Sequence, residues 1–216
     1  MTSVLSPMFI TACWSGSSFV GTVDSVFPSA SEIIKALLGT LLFAGRHSAA
    51  PAMFTCTPEG FWRAIIGQAL ALPAYTMITM RAIEFESKVN YGFSDGVVDV
   101  LIHVIVLLAY PAVLDHIASF LGRRDRLLDY LVPYLWASIP VNYLVAAVSM
   151  ATDNISGSPG FRAIIGILVY GFALFLHWEI VRRQLVIGGI MAFGVMVFEL
   201  VFTVSVMTML ASFASK

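Results

Sequence analysis

Between Arg183 and the C-terminal Lys216 the chain carries a single charged side chain, Glu199. Residues 185–213 are otherwise apolar or small, and such a run exceeds the ~20 residues a helix needs to cross a bilayer core. A soluble fold would have to bury the whole run. With 216 residues and a charged content of only 12%, this chain lacks the polar cover to do so, since soluble domains carry about 25% charged residues. Hydrocarbon as solvent removes the need for that cover. The fold class read from the sequence is therefore an all-α polytopic transmembrane bundle.

The same pattern recurs along the chain. Apolar stretches at 60–83, 97–121, 127–150, 161–181 and 185–213 read as five spans. They are separated by the polar linker 84–96, the basic turn 122–126, the Ser/Gly/Pro/Asn loop 151–160 and the tight turn Arg182-Arg183-Gln184. Thr57-Pro58 starts the first span, as cap and first helical position. Phe61 and Trp62 follow at the depth where amphipathic rings prefer to lie. Upstream, Ser29 with Glu32 forms a capping box. Ile33, Ile34, Leu37, Leu38, Leu41 and Leu42 then repeat at helical spacing, until Gly45. That helix is too short to span, so it either lies in the membrane interface or packs on the cytoplasmic end of the bundle. Three units follow: a weakly ordered segment 1–28, a cytoplasmic interfacial helix and linker 29–59, and a five-helix transmembrane domain 60–213. Helical grammar begins abruptly at Val26. An alternative start codon can encode Val, so the preceding stretch is a candidate for sequence outside the native protein.

Basic residues orient the chain. Lys35, Arg46, Arg63, Arg123, Arg124, Arg126, Arg182 and Arg183 fall on one side, eight in all, against Arg81, Lys88, Arg162 and Lys216, which are four. This places the N-terminus and the two arginine-rich turns in the cytoplasm and the C-terminus outside.

Ionisable groups within spans are costly and mark structure or function. Glu199 is the sharpest candidate. No Lys or Arg lies at its depth, the nearest basic group by depth is His103, and a protonated acid is expected. Asp99, His103 and Tyr110 share one stripe of the second span. Asn142 in the third span and Gln68 in the first complete the candidates, with Glu199, Asn142 and His103 compatible in depth with a loose polar layer in the outer half. At the cytoplasmic end, Arg123, Arg124, Arg126, Arg182 and Arg183, interleaved with Asp115, His116, Asp129 and Glu179, read as a structural clamp or a lipid-phosphate site. Pro73, Pro111, Pro133 and Pro140 fall within spans and bend them. Gly188, Gly189, Ala192 and Gly194 give the last span a small-residue face toward the fourth.

Several classes are disfavoured. Cys13 and Cys56 do not make a paired zinc pattern, so no metal is expected. The chain contains no His-Glu-x-x-His, Gly-x-Ser-x-Gly, P-loop or Gly-x-Gly-x-x-Gly motif, so catalytic residues and cofactors are not expected either. A net charge of −1 argues against nucleic acid. The expected partners are the bilayer, and a membrane protein or a second copy of the chain.

A cytoplasmic N-terminal segment, five closely spaced spans and Gly60-Phe61-Trp62-Arg63 opening the first resemble the Yip1-like group of membrane proteins across residues 26–213. The acidic Gly-Pro motifs of eukaryotic members are absent. The resemblance therefore implies a bacterial inner-membrane relative, and it transfers no functional residues. The expected function is structural or organising, binding partners or lipids, with a small proton-coupled permease or channel using Glu199 as the alternative.

Overall fold

The computed structural model describes residues 27–86, 93–154 and 159–214. The readings made for residues 1–26, for 87–92 of the polar linker and for 155–158 of the Ser/Gly/Pro/Asn loop lie outside the described residues. Among the described residues all regular structure is helical: α1 Ala30–Ala44, α2 Pro58–Gly67, α3 Leu72–Glu86, α4 Phe93–Phe120, α5 Leu127–Asn154, α6 Pro159–Gln184 and α7 Gly189–Ala214. Four stretches are long and apolar enough to cross a membrane, as an integral membrane protein requires: Gly96–Phe120, Arg124–Thr152, Gly160–Gln184 and Gly189–Leu210.

The first expected span, 60–83, is not one continuous α-helix. It is α2 and α3, joined by a 3-10 turn at Gln68–Leu70. Pro73 explains the join, because it has no N–H to offer the carbonyl four residues earlier. The backbone tightens instead, with the Ala71 N–H donating to the Gln68 carbonyl at 2.9 Å. Gly67, Gln68 and Ala71 all keep right-handed helical dihedrals, so the chain stays helical through the junction.

Helix α5 is the hub. It packs against α1, α2, α3 and α6, and more lightly against α4, while α7 closes the ring between α6 and α4. Half of the α5 span window is buried, against 22–28% for the other three. Trp136, Leu131, Leu135 and Val132 of α5 fill the centre with Leu114 of α4, Ile180 of α6 and Ala192 of α7. The outward faces are apolar as well, with Ile167, Leu168, Ile190 and Val201 exposed. That distribution suits a lipid solvent and would aggregate in water.

The apolar stripe expected on α1, Ile33, Ile34, Leu37, Leu38, Leu41 and Leu42, is not the face that the helix buries. Ala36, Gly39, Thr40 and Phe43 are buried against the bundle and the 3-10 turn Ala50–Met53, whereas Ile34, Leu38 and Leu41 face outward. Gly39 is required by close approach, since a Cβ there would meet the Phe54 ring at 2.6 Å. Glu32 anchors the helix through Arg63 of α2, at 2.8 Å. The capping box holds in part: the Ser29 hydroxyl accepts from the Glu32 N–H at 3.2 Å.

One smaller expectation needs correction. Of the small residues on α7, Ala192 is buried and Gly189 lies under Trp178, but a Cβ at Gly188 or Gly194 would meet nothing. Those two glycines do not serve close packing.

Candidate functional site

Glu199 sits near the middle of α7 and is only 8% exposed. It faces inward because the residues around it divide by helical face: Ala192, Val195 and Met196 are buried on its side, and Leu200 and Val201 point outward. Its carboxylate is enclosed by four polar side chains from the three other long helices. The Tyr110 hydroxyl of α4 donates to Oε2 at 2.8 Å. The Tyr134 hydroxyl of α5 donates to Oε1. His177 of α6 brings Nε2 to 2.8 Å from Oε2. The Tyr130 hydroxyl, also from α5, lies 3.4 Å from Oε2, 2.8 Å from the Tyr110 hydroxyl and 2.9 Å from His177 Nε2.

The local sequence explains the convergence. Tyr130 and Tyr134 are four apart and share a face of α5, their rings stacked at 5.7 Å. Pro133 lies between them and Pro111 follows Tyr110. Each proline deletes a backbone hydrogen bond and frees its helix to bend beside a tyrosine of the cluster. His177 and Glu199 lie at similar depth on antiparallel neighbours. Side chains tilt toward the N-terminus of their own helix, so these two lean toward each other across the α6–α7 interface.

A carboxylate offers about four lone-pair positions, and here four neighbours approach it. The hydroxyls donate to an ionised carboxylate or rotate to accept from a neutral acid. His177 Nε2 donates if it carries a proton and accepts if it does not.

This arrangement overturns one premise from the sequence. The nearest basic group to Glu199 is His177, not His103, and the loose outer layer of Glu199, Asn142 and His103 does not form. His103 packs with its ring tilted against Tyr75 of α3, centroids 4.1 Å apart, its buried Nε2 lacking a hydrogen-bond partner. Asp99 is half-buried one turn away on the same helix. Asn142 is half-buried on α5, eight residues and about 12 Å along the axis from Tyr134. Gln68 is fully engaged elsewhere: its amide donates to the Leu135 carbonyl and its Oε1 accepts from Ser138 at 3.1 Å, tying the α2–α3 junction to α5. Of the second-span stripe, only Tyr110 reaches Glu199.

A second charged cluster occupies the end of the bundle where α6 meets α7. The expected single clamp divides into separate networks. Arg124 forms a bidentate pair with Asp115, both contacts 2.8 Å. Arg126 pairs with Asp129 at 3.2 Å and lies near Asp125. Arg123 is exposed, and His116 turns back to the Ala112 carbonyl of its own helix. Glu179, 1% exposed, stands apart from these with Arg182 at 3.1 Å, Arg46 at 3.7 Å and Arg183 at 3.8 Å. Arg46 belongs to the turn after α1 and was not among the arginines expected here.

Cys56, in the linker before α2, is half-buried. Burial, and secondarily the Asp129 charge, push its thiol up to about 11. No group of three or more His, Cys, Asp or Glu side chains suited to a metal occurs among the described residues.

Comparison with protein-family models, with curated proteins and with solved structures finds no match to this chain.

Proposed function

We propose that the chain is a membrane-organising protein of structural type, in which the Glu199 cage fixes the relative positions of the four long helices. The observation that carries this reading is the saturation of one buried carboxylate by side chains from α4, α5 and α6. Interhelical hydrogen bonds in membranes average only about 0.6 kcal/mol each. Their value here is positional, because a shift of any one helix leaves a hydroxyl or an imidazole unpaired in hydrocarbon.

Within this proposal α2 and α3 together make a fifth crossing, supported by their shared packing along α5 and by the unbroken helical dihedrals at the join. The arginine-rich end lies in the cytoplasm and the C-terminus outside, as the distribution of Lys and Arg favours, and the bilayer is a bacterial inner membrane, as the Yip1-like resemblance without acidic Gly-Pro motifs implies. The outward stripe Ile34, Leu38 and Leu41 rests in the cytoplasmic interface while the opposite face of α1 docks on protein. The kinship proposed is Yip1-like, and it rests on this architecture and on Gly60-Phe61-Trp62-Arg63.

A second reading is proton-coupled transport, favoured by one specific feature. A carboxyl and an imidazole 2.8 Å apart inside a membrane bundle, bridged by a tyrosine hydroxyl, can hold and pass a proton. The two readings separate in proteoliposomes carrying a pH gradient. The structural reading predicts no proton flux that depends on Glu199, and a folded Glu199→Gln protein. Flux in the native protein that Glu199→Gln abolishes would establish the transport reading instead.

A further inference from the structure

We infer that Arg46, Arg182 and Arg183 form a phosphate-binding site at the end of the bundle, a conclusion independent of the role of Glu199. The first argument is charge. Three guanidiniums, which stay charged at any physiological pH, surround a single carboxylate, Glu179. The C-termini of α1 and α6 add roughly half a negative charge each, which still leaves the cluster positive. The arginines of the neighbouring turn behave differently, as Arg124 and Arg126 each have an aspartate of their own.

The second argument is geometry. Each guanidinium of the trio lies over an aromatic ring: Arg46 over Phe175 at 5.0 Å, Arg182 over Trp178 at 4.9 Å and Arg183 over Phe43 at 5.5 Å. Stacking covers the flat faces and leaves the in-plane N–H edges to bind, which is how arginine recognises phosphate. Only Arg182 hydrogen-bonds Glu179, and Arg183 donates once to the His47 carbonyl. Two buried donors of the trio, Arg182 Nε and Arg183 Nη1, find no acceptor. Buried N–H groups normally have partners. An oxygen-rich dianion supplies several acceptors at once.

The third argument is position. Arg182 and Arg183 end the membrane-crossing stretch Gly160–Gln184, which sets the trio at headgroup depth. Arg46 comes from a different element, in a left-handed backbone conformation with φ of 56°. That conformation is disfavoured for a residue that carries a Cβ. The chemistry recognised is a phosphate monoester or inorganic phosphate, and both a lipid headgroup and a soluble anion present it.

The test uses the delipidated full chain in neutral detergent. Thermal unfolding is followed against inorganic phosphate in one arm and a short-chain phosphatidic acid in the other, with ionic strength held by chloride. The expected result is a saturable rise in Tm, with half-saturation weakened at least about tenfold by Arg46→Gln or Arg182→Gln. Arg124→Gln, whose arginine is bonded to Asp115, should leave it unchanged. Saturation in both arms identifies the phosphate group itself as the ligand. Saturation with phosphatidic acid alone identifies the lipid. Arg46 is exposed and makes no side-chain hydrogen bond, only a long ion pair to Glu179 at 3.7 Å and a ring contact with Phe175, so Arg46→Gln keeps the test usable if Arg182→Gln fails to fold. Absence of a saturable shift in both arms, or an equal loss in Arg124→Gln, overturns the site.

Discussion

The last two membrane-crossing helices each bury one glutamate, and the two are treated in opposite ways. Glu179 on α6 is surrounded by guanidiniums at the bundle end. Glu199 on α7 is surrounded by hydroxyls and one imidazole in the interior. The first cluster is a fixed-charge assembly whose arginines are partly open to solvent. The second is built from groups that are neutral or can become so, as suits a site from which water is excluded. Charge is placed where headgroups and water can screen it, and reversible hydrogen bonding is placed where they cannot.

The largest consequence concerns the interior. Glu199→Leu removes the common acceptor of tyrosines on two helices and leaves His177 with the Tyr130 hydroxyl alone. A loss of about 2–4 kcal/mol is expected, read by equilibrium unfolding in mixed micelles. Glu179→Gln should cost less, about 1–2 kcal/mol, because the three arginines can turn toward solvent. Its cost should also shrink in high salt, whereas that of Glu199→Leu should not. Equal salt sensitivity at the two sites would erase the distinction between them.

A smaller effect probes the bundle end alone. With its pKa pushed up to about 11 by burial first and Asp129 second, Cys56 in a Cys13→Ala background should label slowly with maleimide near neutral pH. Its rate should keep rising with pH. Asp129→Asn lowers the thiol pKa, exposes more thiolate and speeds labelling. No acceleration would mean that burial alone, and not the Asp129 charge, holds the thiol up.

Much of this architecture is legible in the residues. The Ser29 and Thr57 caps, the four long helices and the inward direction of Glu199 follow from spacing and from the cost of a carboxyl in lipid. The break in the first span is legible in hindsight, since Pro73 must disturb the turn before it. The partners of Glu199 were harder to find. Nothing in the local pattern around Tyr130, Tyr134 and His177 singles them out from the other aromatic and polar residues of their spans. Depth arithmetic held the missing signal. His177 lies seven residues before Gln184 and Glu199 ten after Gly189, so both sit about 10–15 Å from the same end. Which helices neighbour each other is set by packing around α5, and no single-chain periodicity encodes it. Arg46 was missed for the same reason, as it joins α6 only through the docking of α1.

The central claim is that the Glu199 cage couples helices, and Tyr134 tests it most directly, because Glu199 is the hydrogen-bond partner of its hydroxyl. In the native protein Tyr134→Phe removes that bond and should destabilise the fold by about 0.6–1.7 kcal/mol. In the Glu199→Leu background the same hydroxyl has lost its acceptor, so Tyr134→Phe should be neutral or stabilising. Unfolding free energies of the four proteins in this double-mutant cycle should therefore be strongly non-additive. An equal cost of Tyr134→Phe in both backgrounds would contradict the account.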